Sequence, residues 1–295
     1  MAEAPVALVL GGRKGLLGQA LMKTALARGW TPVDVERESG DVLDLDWMAR
    51  QIERHAPVAI FNAIAWTQVD QAEDEPEAAM RINRGLPLLL AQLLKGKPVS
   101  LVHYSTDFVF NGRKDAPYTE DDEPDPLNVY GRTKLAGEKA LLKAGLEQCC
   151  IIRTAWLFGS GRKNFISTIL NLAAGRDSIS VVHDQVGSPT YTQDVAEASF
   201  ELLRLKARGL FHVVNSGQAS WCELAEAAVS AANLPRRVEA IASANWPQKA
   251  QRPVYSALDT SRYTTLTGKP MRPWLAALRD YVFRDFLAAD RDADV

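Results

Sequence analysis

Cysteine and histidine are both scarce in this chain of 295 residues, which contains three cysteines and four histidines. The cysteines, Cys149, Cys150 and Cys222, are odd in number, and their spacing matches neither a disulfide framework nor a metal site. The four histidines show no ligand spacing either. We therefore predict no bound metal, and a reducing cytoplasm is the simplest location for the protein.

Long apolar runs and clusters of one charge are also lacking. The formal net charge is −2 and no long basic run occurs, so the sequence predicts neither a nucleic-acid partner nor binding to an anionic membrane. The first five residues include Glu3 and are followed by a short apolar run and then glycines. Such a beginning is typical of neither a signal peptide nor a membrane span.

The first half of the chain alternates short apolar runs with stretches of helical periodicity. The runs at residues 6–10 and 58–64 predict buried parallel strands, and residues 18–28 and 77–94 predict helices, the second kinked at Pro87. This alternation predicts an α/β fold, a doubly wound parallel sheet of the Rossmann type.

The pattern loosens after Thr154. We expect residues 1–155 to form a dinucleotide-binding Rossmann domain, and residues 156–295 to form mainly a smaller C-terminal substrate-binding region. Residues 177–214 contain two short strand candidates and one helix candidate, and we expect them to return to the Rossmann sheet.

A glycine-rich loop follows the first predicted strand. Glycines here allow a tight turn and a close approach of the backbone to a pyrophosphate, which the following helix N-terminus would attract. The alternative is a glycine turn that only joins a strand to a helix, but the strand–loop–helix context favours cofactor binding. The predicted cofactor-binding residues of the loop are Gly12, Arg13, Lys14, Gly15, Leu16, Leu17 and Gly18.

The choice between NADH and NADPH stays open at this stage. Asp34 or Glu36 could hold a ribose hydroxyl, as an acidic residue about 20 positions after the loop does in NAD-binding proteins. Arg13, Lys14 and Arg37 would suit a 2′-phosphate, or they could form a solvated rim.

The stretch Asn62-Ala63-Ile64-Ala65 ends a predicted strand at its carboxyl edge. Ligands bind at such edges in open parallel sheets, and the small alanines would leave room for a flat ring system. We predict that these four residues contact the cofactor.

Tyr130 and Lys134 are four residues apart, so on a helix their side chains share a face. A nearby ammonium would lower the tyrosine pKa from its reference of about 10, and such a phenol can protonate a carbonyl oxygen while hydride reaches the carbon. The alternative is an unremarkable pair on a surface helix. Thr106 follows another predicted strand and could orient the same carbonyl, or it could belong to a strand-end turn.

Together these features make the chain resemble the extended short-chain dehydrogenases, and within them the dTDP-4-dehydrorhamnose reductases. The resemblance covers residues 6–278, nearly the whole chain. The stretches that carry it are residues 105–110, 126–138, 153–156, 164–165, 184–190 and 256–259.

The resemblance implies an NADPH- or NADH-dependent enzyme that reduces the C4 keto group of dTDP-4-dehydro-6-deoxy-L-mannose to give dTDP-L-rhamnose. The substrate would be a nucleotide-linked 4-keto-6-deoxy sugar. Tyr130 would donate the proton, Lys134 would assist it and bind the cofactor ribose, and Thr106 would orient the carbonyl. The resemblance also allows a homodimer.

Other residues take implied roles from the same resemblance. Asp44 and Leu45 would contact the adenine, although Asp44 could instead only cap the next helix. The implied substrate-binding residues are Thr106, Asp107, Phe108, Trp156 and Asn164, and a buried core tryptophan is the alternative for Trp156. Asn83 would support the lysine through water, or it would be an ordinary polar helix residue.

Some positions depart from the family pattern. Ile64 and Trp66 replace a small residue and a His or Tyr, and Phe108 replaces a tyrosine. Ala20 and Gln193 stand where some members carry metal-bridging glutamates, which agrees with the prediction of no metal.

Two rival functions remain. Dehydratases of the superfamily carry a carboxylate pair after the threonine, whereas Asp107 is followed here by Phe108. This departure argues against dehydration, and less clearly against epimerisation, so another nucleotide-sugar epimerase or reductase remains an alternative. A non-catalytic NADP-binding regulatory subunit, of the type that serves methionine adenosyltransferase, is the rival from another class.

Overall fold

The computed structural model of the protein describes residues 3–36 and 40–287. The strands are β1 (Val6–Leu10), β2 (Thr31–Val35), β3 (Ala59–Asn62), β4 (Ser100–Thr106), β5 (Cys149–Thr154), β6 (Leu157–Phe158), β7 (Ser178–Val182), β8 (Val186–Gly187), β9 (Thr190–Tyr191), β10 (Gly209–His212), β11 (Ala219–Ser220) and β12 (Arg237–Ile241). The α-helices are α1 (Leu16–Ala27), α2 (Leu45–His55), α3 (Val69–Asp74), α4 (Pro76–Met80), α5 (Leu86–Leu94), α6 (Val129–Ala144), α7 (Phe165–Gly175), α8 (Thr192–Arg204), α9 (Trp221–Ala231), α10 (Ser261–Thr267) and α11 (Trp274–Asp280).

Six of these strands form one parallel sheet in the order β10-β5-β4-β3-β1-β2. The strand order reverses beside β1, because β2 lies on one side of it and β3 on the other. In sheets of this type the cleft at the carboxyl ends of the strands, at the reversal, is where ligands bind. The predicted α/β fold with a doubly wound parallel sheet is confirmed.

The sheet is covered by helices on both faces because its strands are apolar on both sides. In β1, Ala7 and Val9 pack in a core with α1 and α8, whereas Leu8 and Leu10 pack on the opposite face with α2 and α5. Strands buried on both faces read as continuous apolar runs, which is the pattern of β1.

Residues 177–214 were expected to return to this sheet, and only part of this segment does. Strand β10 pairs with β5, and α8 packs against α1. Strand β7, however, pairs with β12 in a separate two-stranded sheet, so the expectation was wrong for residues 178–182. The physical reason is that Ser178 and Ser180 alternate with buried apolar residues, a pattern that suits a sheet covered on one face only.

The helix predicted over residues 77–94 is interrupted one turn before Pro87. The residues Arg81–Gly85 form a π-turn between α4 and α5, and Pro87 lies in the first turn of α5. Proline has no N–H to donate to the carbonyl of Asn83, four residues earlier, and the widened turn accommodates this gap. Within residues 3–36 and 40–287, no helix combines the length and apolarity needed to span a bilayer.

Candidate active site

The glycine loop lies at the strand reversal, between β1 and α1. Gly11 has a φ of 82°, and Gly15 precedes the first helical residue without a side-chain cap. A Cβ on Gly18 would lie 1.8 Å from the carbonyl oxygen of Gly11, so α1 can pack this closely on the loop only with glycine there. This cradle and the uncapped N–H groups at the helix start fit the pyrophosphate of a dinucleotide.

Two carboxylates at the end of β2 face this loop. Asp34 Oδ1 accepts hydrogen bonds from the backbone N–H groups of Gly12 at 2.8 Å and Arg13 at 3.2 Å. Glu36 Oε1 accepts from those of Arg13 and Lys14, both at 2.9 Å. Burial, with Glu36 nearby, raises the pKa of Asp34 above its ordinary value. Arg37, the third cation considered for a 2′-phosphate, lies outside the described residues.

The stretch from Asn62 to Ala65, at the end of β3, is anchored by one buried side-chain contact and one core residue. Asn62 Nδ2 lies 3.0 Å from His103 Nδ1, inside the sheet, and burial keeps the pKa of His103 well below its ordinary value. Ile64 is buried in the core beneath the loop, whereas Ala63 and Ala65 are half-buried. Cofactor contact by these four residues stays a prediction.

Asp44 caps a helix. Its Oδ1 accepts a hydrogen bond from Trp47 N at 2.9 Å at the start of α2, which is the simpler of its two predicted roles. Leu45 is exposed beside it. Adenine contact by either residue stays a prediction.

Thr106 ends β4 and begins a buried hydroxyl–carboxylate network. Its hydroxyl donates to Asp107 Oδ1 at 3.0 Å and accepts from Phe108 N at 3.2 Å. The hydroxyl of Ser256 donates to the other oxygen of Asp107 at 2.6 Å. Burial raises the pKa of Asp107 to about 6, although both hydroxyls oppose the shift.

Tyr130 lies in the first turn of α6, next to this network. A Cβ on Gly131 would lie 2.1 Å from the carbonyl oxygen of Phe108, so the missing side chain allows α6 to approach the turn after β4. The Thr106 side chain is close enough to the phenol to affect its pKa, and the Tyr130 ring meets that of Phe108 edge-on at 5.8 Å. The structure therefore brings Thr106 and Tyr130 together, as the sequence predicted.

The pKa of Tyr130 differs from the expectation. Burial raises it to about 12, with the Thr106 side chain opposing and the charge of Asp107 adding to the shift. The ammonium of Lys134 does not lower it as predicted, because Lys134 Nζ donates instead to the carbonyl of Tyr104 at 2.6 Å. The phenol is therefore a firmly protonated acid at neutral pH.

Lys134 is 2% exposed, next to a buried ion pair. Burial lowers the pKa of Lys134 to about 8, and the charge of Glu138 on the next turn of α6 raises it in part. Glu138 is held by both guanidinium nitrogens of Arg153, at 2.9 and 2.7 Å. This pair fixes α6 to β5 and so fixes the position of the lysine.

Asn83, in the π-turn, holds the segment after β3. Its Oδ1 accepts from Trp66 N at 2.8 Å, and its Nδ2 donates to Trp66 O at 3.2 Å and to the Thr133 hydroxyl at 2.9 Å. Neither predicted role describes these contacts. The residue links the Trp66 segment to α6, beside Lys134.

An aromatic cavity of about 330 Å³ adjoins the network. Its aromatic lining is Phe108, Trp156, Phe165, Trp221 and Trp246. Trp156 and Trp221 stack in parallel with ring centroids 3.5 Å apart. Trp156 adopts a φ of 46°, a left-handed backbone conformation that is uncommon for a bulky residue. Because Phe108 and Ser256 line the cavity and also contact the Thr106–Asp107 network, the cavity lies next to that network.

One predicted substrate-binding residue, Asn164, does not line the cavity, and several residues that were not predicted do. The side chain of Asn164 accepts from Ser167 N and donates to the hydroxyl of Tyr281, so it is engaged in capping α7. Phe165 and Thr168, one turn on, face the cavity instead. Trp221 and Trp246 were missed, and their only sequence signal is the occurrence of large aromatics in segments without strong periodicity.

The segment 249–252, which we call the strap, crosses from the cavity to α3. Asp70 on α3 accepts from the backbone N–H groups of Lys249 at 3.0 Å and Ala250 at 2.9 Å. Arg252, which lines the cavity, donates to Asp70 Oδ2 at 2.8 Å, and this guanidinium lowers the pKa of Asp70 to about 2. The strap thus fastens one wall of the cavity to the Rossmann sheet.

Metal ligands are not grouped in this part of the molecule. Among residues 3–36 and 40–287, no cluster of three or more His, Cys, Asp or Glu side chains could hold a metal ion.

Comparison with known proteins places this geometry in a family. The sequence profile of the family described as "RmlD substrate binding domain" matches residues 6–286. The dTDP-4-dehydrorhamnose reductase of Mycolicibacterium smegmatis is 39% identical over 93% of this chain and 84% of its own length. The dTDP-4-keto-6-deoxy-D-glucose reductase of Streptomyces niveus is 37% identical over 90% of this chain and 93% of its own.

A solved structure of a related protein has the same fold. The dTDP-4-dehydrorhamnose reductase of Bacillus anthracis, in complex with NADP, superposes with a TM-score of 0.90 at 31% identity, over 95% of this chain and 99% of that one.

Proposed function

Since the chain belongs to the RmlD substrate-binding-domain family, we propose that it is an NADPH- or NADH-dependent reductase of a dTDP-linked 4-keto-6-deoxy sugar. The reaction is reduction of the C4 keto group of dTDP-4-dehydro-6-deoxy-L-mannose, which gives dTDP-L-rhamnose. The observation that carries the proposal is that Tyr130 lies beside Thr106 and Phe108, and that Phe108 also lines the aromatic cavity.

The glycine loop and the helix start after it would hold the dinucleotide. A bound reduced nicotinamide supplies the hydride. The amides at the start of α1 would bind the pyrophosphate, and Lys134, one turn along α6 from Tyr130, would bind the ribose hydroxyls. Its present acceptor, the Tyr104 carbonyl, keeps the ammonium at the carboxyl end of β4.

The sugar nucleotide would occupy the aromatic cavity. Its base can pack against the stacked pair of Trp221 and Trp156, and the diphosphate can approach Arg252, which would keep its ion pair with Asp70. The sugar then lies toward Phe108, with its keto oxygen between the Thr106 hydroxyl and the Tyr130 phenol.

These two side chains provide the acid chemistry. With substrate bound, the Thr106 hydroxyl would turn its single proton from Asp107 Oδ1 to the keto oxygen, and this hydrogen bond would orient and polarise the carbonyl. Tyr130, whose pKa of about 12 keeps it protonated, transfers its proton to that oxygen as negative charge develops on it. A shift of the Lys134 ammonium from the Tyr104 carbonyl toward the cofactor ribose would bring its charge nearer the phenol and so favour the phenolate that results.

The experiment is turnover of the full chain with reduced cofactor and a panel of dTDP- and UDP-linked 4-keto sugars. We expect consumption of the cofactor with dTDP-4-dehydro-6-deoxy-L-mannose and a product whose NMR spectrum is that of dTDP-L-rhamnose. Binding of the cofactor without turnover of any 4-keto sugar would contradict the reductase and support the regulatory rival.

Location and assembly belong to the same proposal. The three cysteines are free and buried, which is compatible with a reducing cytoplasm. A homodimer stays a prediction, and the mass in solution, measured by light scattering, tests it.

A further inference from the structure

The hydrogen bond between Thr106 and Asp107 has to change when a keto sugar binds. A threonine hydroxyl has one proton to donate and two lone pairs that can each accept a hydrogen bond. Without substrate, the Thr106 hydroxyl donates its proton to Asp107 Oδ1 at 3.0 Å and accepts from Phe108 N at 3.2 Å. When this proton turns to the keto oxygen, as the proposed reaction requires, the contact with Asp107 is left without a proton from Thr106.

An ionised Asp107 does not fit the complex with bound substrate. A carboxylate only accepts hydrogen bonds, so its Oδ1 would face the Thr106 oxygen at 3.0 Å with no proton between them. Asp107 is 2% exposed and Thr106 is 5% exposed, so bulk water cannot take the place of the lost donor. The carboxylate would therefore compete with the keto oxygen for the Thr106 proton.

A protonated Asp107 completes the set of hydrogen bonds around Thr106. Its Oδ1–H can donate to the second lone pair of the Thr106 oxygen, while Phe108 N keeps the first and the threonine proton goes to the keto oxygen. Hydrogen bonds in such a chain polarise one another, so the bond to the keto oxygen becomes stronger.

Ser256 determines which oxygen of Asp107 carries the proton. Its buried hydroxyl donates to Oδ2 at 2.6 Å, so Oδ2 is occupied as an acceptor and the proton belongs on Oδ1, the oxygen that faces Thr106. The backbone N–H of Ser256 donates to Val186 O at 2.8 Å, which holds the serine in place. Because Ser256 also lines the aromatic cavity, the cavity wall and Thr106 are joined through Asp107.

The titratable surroundings of Asp107 favour the same protonation state. Asp107 meets Thr106 and the Phe108 backbone on its own segment, the Ser256 hydroxyl from the segment after the strap, and Tyr130 from α6. The charge of an ionised Asp107 raises the pKa of Tyr130, which opposes loss of the phenol proton. Burial raises the pKa of Asp107 itself to about 6, although the two hydroxyls and the nearby backbone N–H groups oppose the shift. A bound diphosphate and the loss of water from the cavity would raise it further.

We propose that Asp107 is a positioning residue that acts as a neutral acid in the substrate complex, with Ser256 directing its proton to Oδ1 so that the Thr106 hydroxyl can donate to the keto oxygen. Asp107 takes up this proton from solvent when the sugar binds and keeps it during the reaction. The proton of the product hydroxyl still comes from Tyr130, and the hydride comes from the bound cofactor. The inference rests on the proposed function, because it concerns the carbonyl of that reaction.

Proton uptake tests the protonation state without turnover. The full chain is saturated with oxidised dinucleotide, which has no hydride to give, and is titrated with the dTDP-linked 4-keto sugar in a calorimeter. With buffers of different ionisation enthalpy at about pH 7.5, the wild type should take up about 0.5–1 proton per sugar bound, because binding raises the pKa of Asp107. Asp107→Asn has no carboxyl to protonate, and its uptake should be smaller by about 0.5 proton or more.

The pH dependence of turnover tests the chain of hydrogen bonds. In Asp107→Asn the amide oxygen can accept from Ser256 while the amide nitrogen donates to Thr106, which imitates the neutral acid. The ratio of kcat in this variant to kcat in the wild type should therefore rise about tenfold between about pH 6 and pH 9, as the wild-type carboxyl ionises. Lys134, whose pKa burial lowers to about 8, titrates in both proteins, so the ratio removes its effect.

Matched variants separate this role from a purely structural one. Ser256→Ala should lower kcat about fivefold and leave the KM for the sugar within about twofold, as expected for one hydrogen bond that acts on the reaction, and Ser256→Thr should restore kcat. Asp184 and Ser243 form a similar pair outside the cavity lining, with Oγ of the serine 3.0 Å from Oδ2 of the carboxylate. Asp184→Asn and Ser243→Ala are the controls and should change neither the pH profile nor the proton uptake.

The outcomes separate the two proposals. If Asp107→Asn turns over about a hundredfold more slowly than the wild type at every pH while Asp184→Asn is active, the charge of Asp107 is needed and the inference is wrong. A kcat ratio that does not change with pH, or equal proton uptake by the wild type and Asp107→Asn, would also overturn it. If Asp107→Asn does not fold, the proton uptake of the wild type and the two Ser256 variants decide. If the wild type reduces no 4-keto sugar, the proposed function fails and the inference fails with it.

Discussion

The glycine loop and the aromatic cavity are built in opposite ways. The loop is one continuous stretch of chain. Its contacts are made mainly by backbone N–H groups, and its glycines lack side chains that would prevent the close approach of the backbone. The cavity gathers large side chains from distant segments, such as Phe108, Trp156 and Trp246. One region depends on close approach of the backbone, and the other on buried aromatic area.

Because of this difference, the two regions should respond to different substitutions. Adding a single carbon to the loop should displace it, because the neighbouring backbone cannot move away. Removing a ring from the cavity should weaken one ligand and leave the rest of the site intact. The predictions below test this contrast, and the first concerns the proposed proton donor.

Tyr130→Phe should lower kcat by about two orders of magnitude or more, since it removes the general acid. The Kd of the reduced cofactor should stay within about twofold, because the ring and its contact with Phe108 are kept. Stopped-flow turnover and fluorescence titration measure the two quantities. Tyr255→Phe, which removes a phenol bonded to Gln218, is the control and should keep full turnover. Equal rates in both variants would remove Tyr130 from the mechanism.

Gly18→Ala should weaken cofactor binding about tenfold or more and lower the free energy of unfolding by about 1–3 kcal/mol, as overpacking does. The added Cβ would lie 1.8 Å from the Gly11 carbonyl oxygen, so the loop or α1 must shift. Gly175→Ala, at a helical position with open space around it, is the matched control and should be neutral or slightly stabilising. If both variants bind cofactor like the wild type, the loop does not depend on this close approach.

Trp221→Ala should raise the KM for the sugar nucleotide about tenfold, because a stacked aromatic surface is lost. The Kd of the cofactor should not change, since Trp221 lies in the cavity and not at the loop. Steady-state kinetics and titration separate the two. Phe283→Leu, at an exposed aromatic, controls for loss of ring area elsewhere. A parallel loss of cofactor affinity in Trp221→Ala would break the contrast between the regions.

Asp107→Asn should give the smallest effect, a gain in stability that depends on pH. The pKa of Asp107 is raised from 3.8 to about 6 in the folded protein, so folding favours the protonated carboxyl. The contribution of this carboxyl to the free energy of unfolding is fully present below about pH 4 and is lost as the pH rises through 6. The shift corresponds to about 3 kcal/mol of destabilisation above that range. We expect a net gain of about 1 kcal/mol at about pH 8, because the amide nitrogen of Asn needs an acceptor where the carboxylate had donors.

Denaturant unfolding at about pH 8 and pH 5 measures this effect. The gap between Asp107→Asn and the wild type should narrow at the lower pH. If the difference in the free energy of unfolding grew at the lower pH, the surroundings of Asp107 would favour its charged form, contrary to the prediction.

Much of the Rossmann half could be predicted from the sequence, because its signals are local. The strand β1 has the predicted bounds, and the loop lies where its glycines placed it. Tyr130 and Lys134 were considered as a pair on one helix, and both lie on α6, which begins after the Asn128 cap.

The rest depends on tertiary burial and could not be predicted from periodicity. Nothing local shows that Lys134 is 2% exposed, so its ammonium was expected to act on Tyr130 rather than on the Tyr104 carbonyl. Strands of two residues, such as β8 and β11, have no period to detect. The stacking of Trp156 on Trp221 joins segments about 65 residues apart, a distance over which sequence patterns carry no pairing information.

The strap has a consequence for the order in which the site can be completed during synthesis. Asp70 emerges from the ribosome early, together with the strands around the glycine loop, whereas Arg252 emerges close to the end of the chain. A nascent chain can therefore assemble its dinucleotide cradle well before the ion pair that fastens the last wall of the sugar pocket. A chain that ends before the strap would lack both Arg252 and the backbone amides that bind Asp70, and so would lack one wall of the cavity.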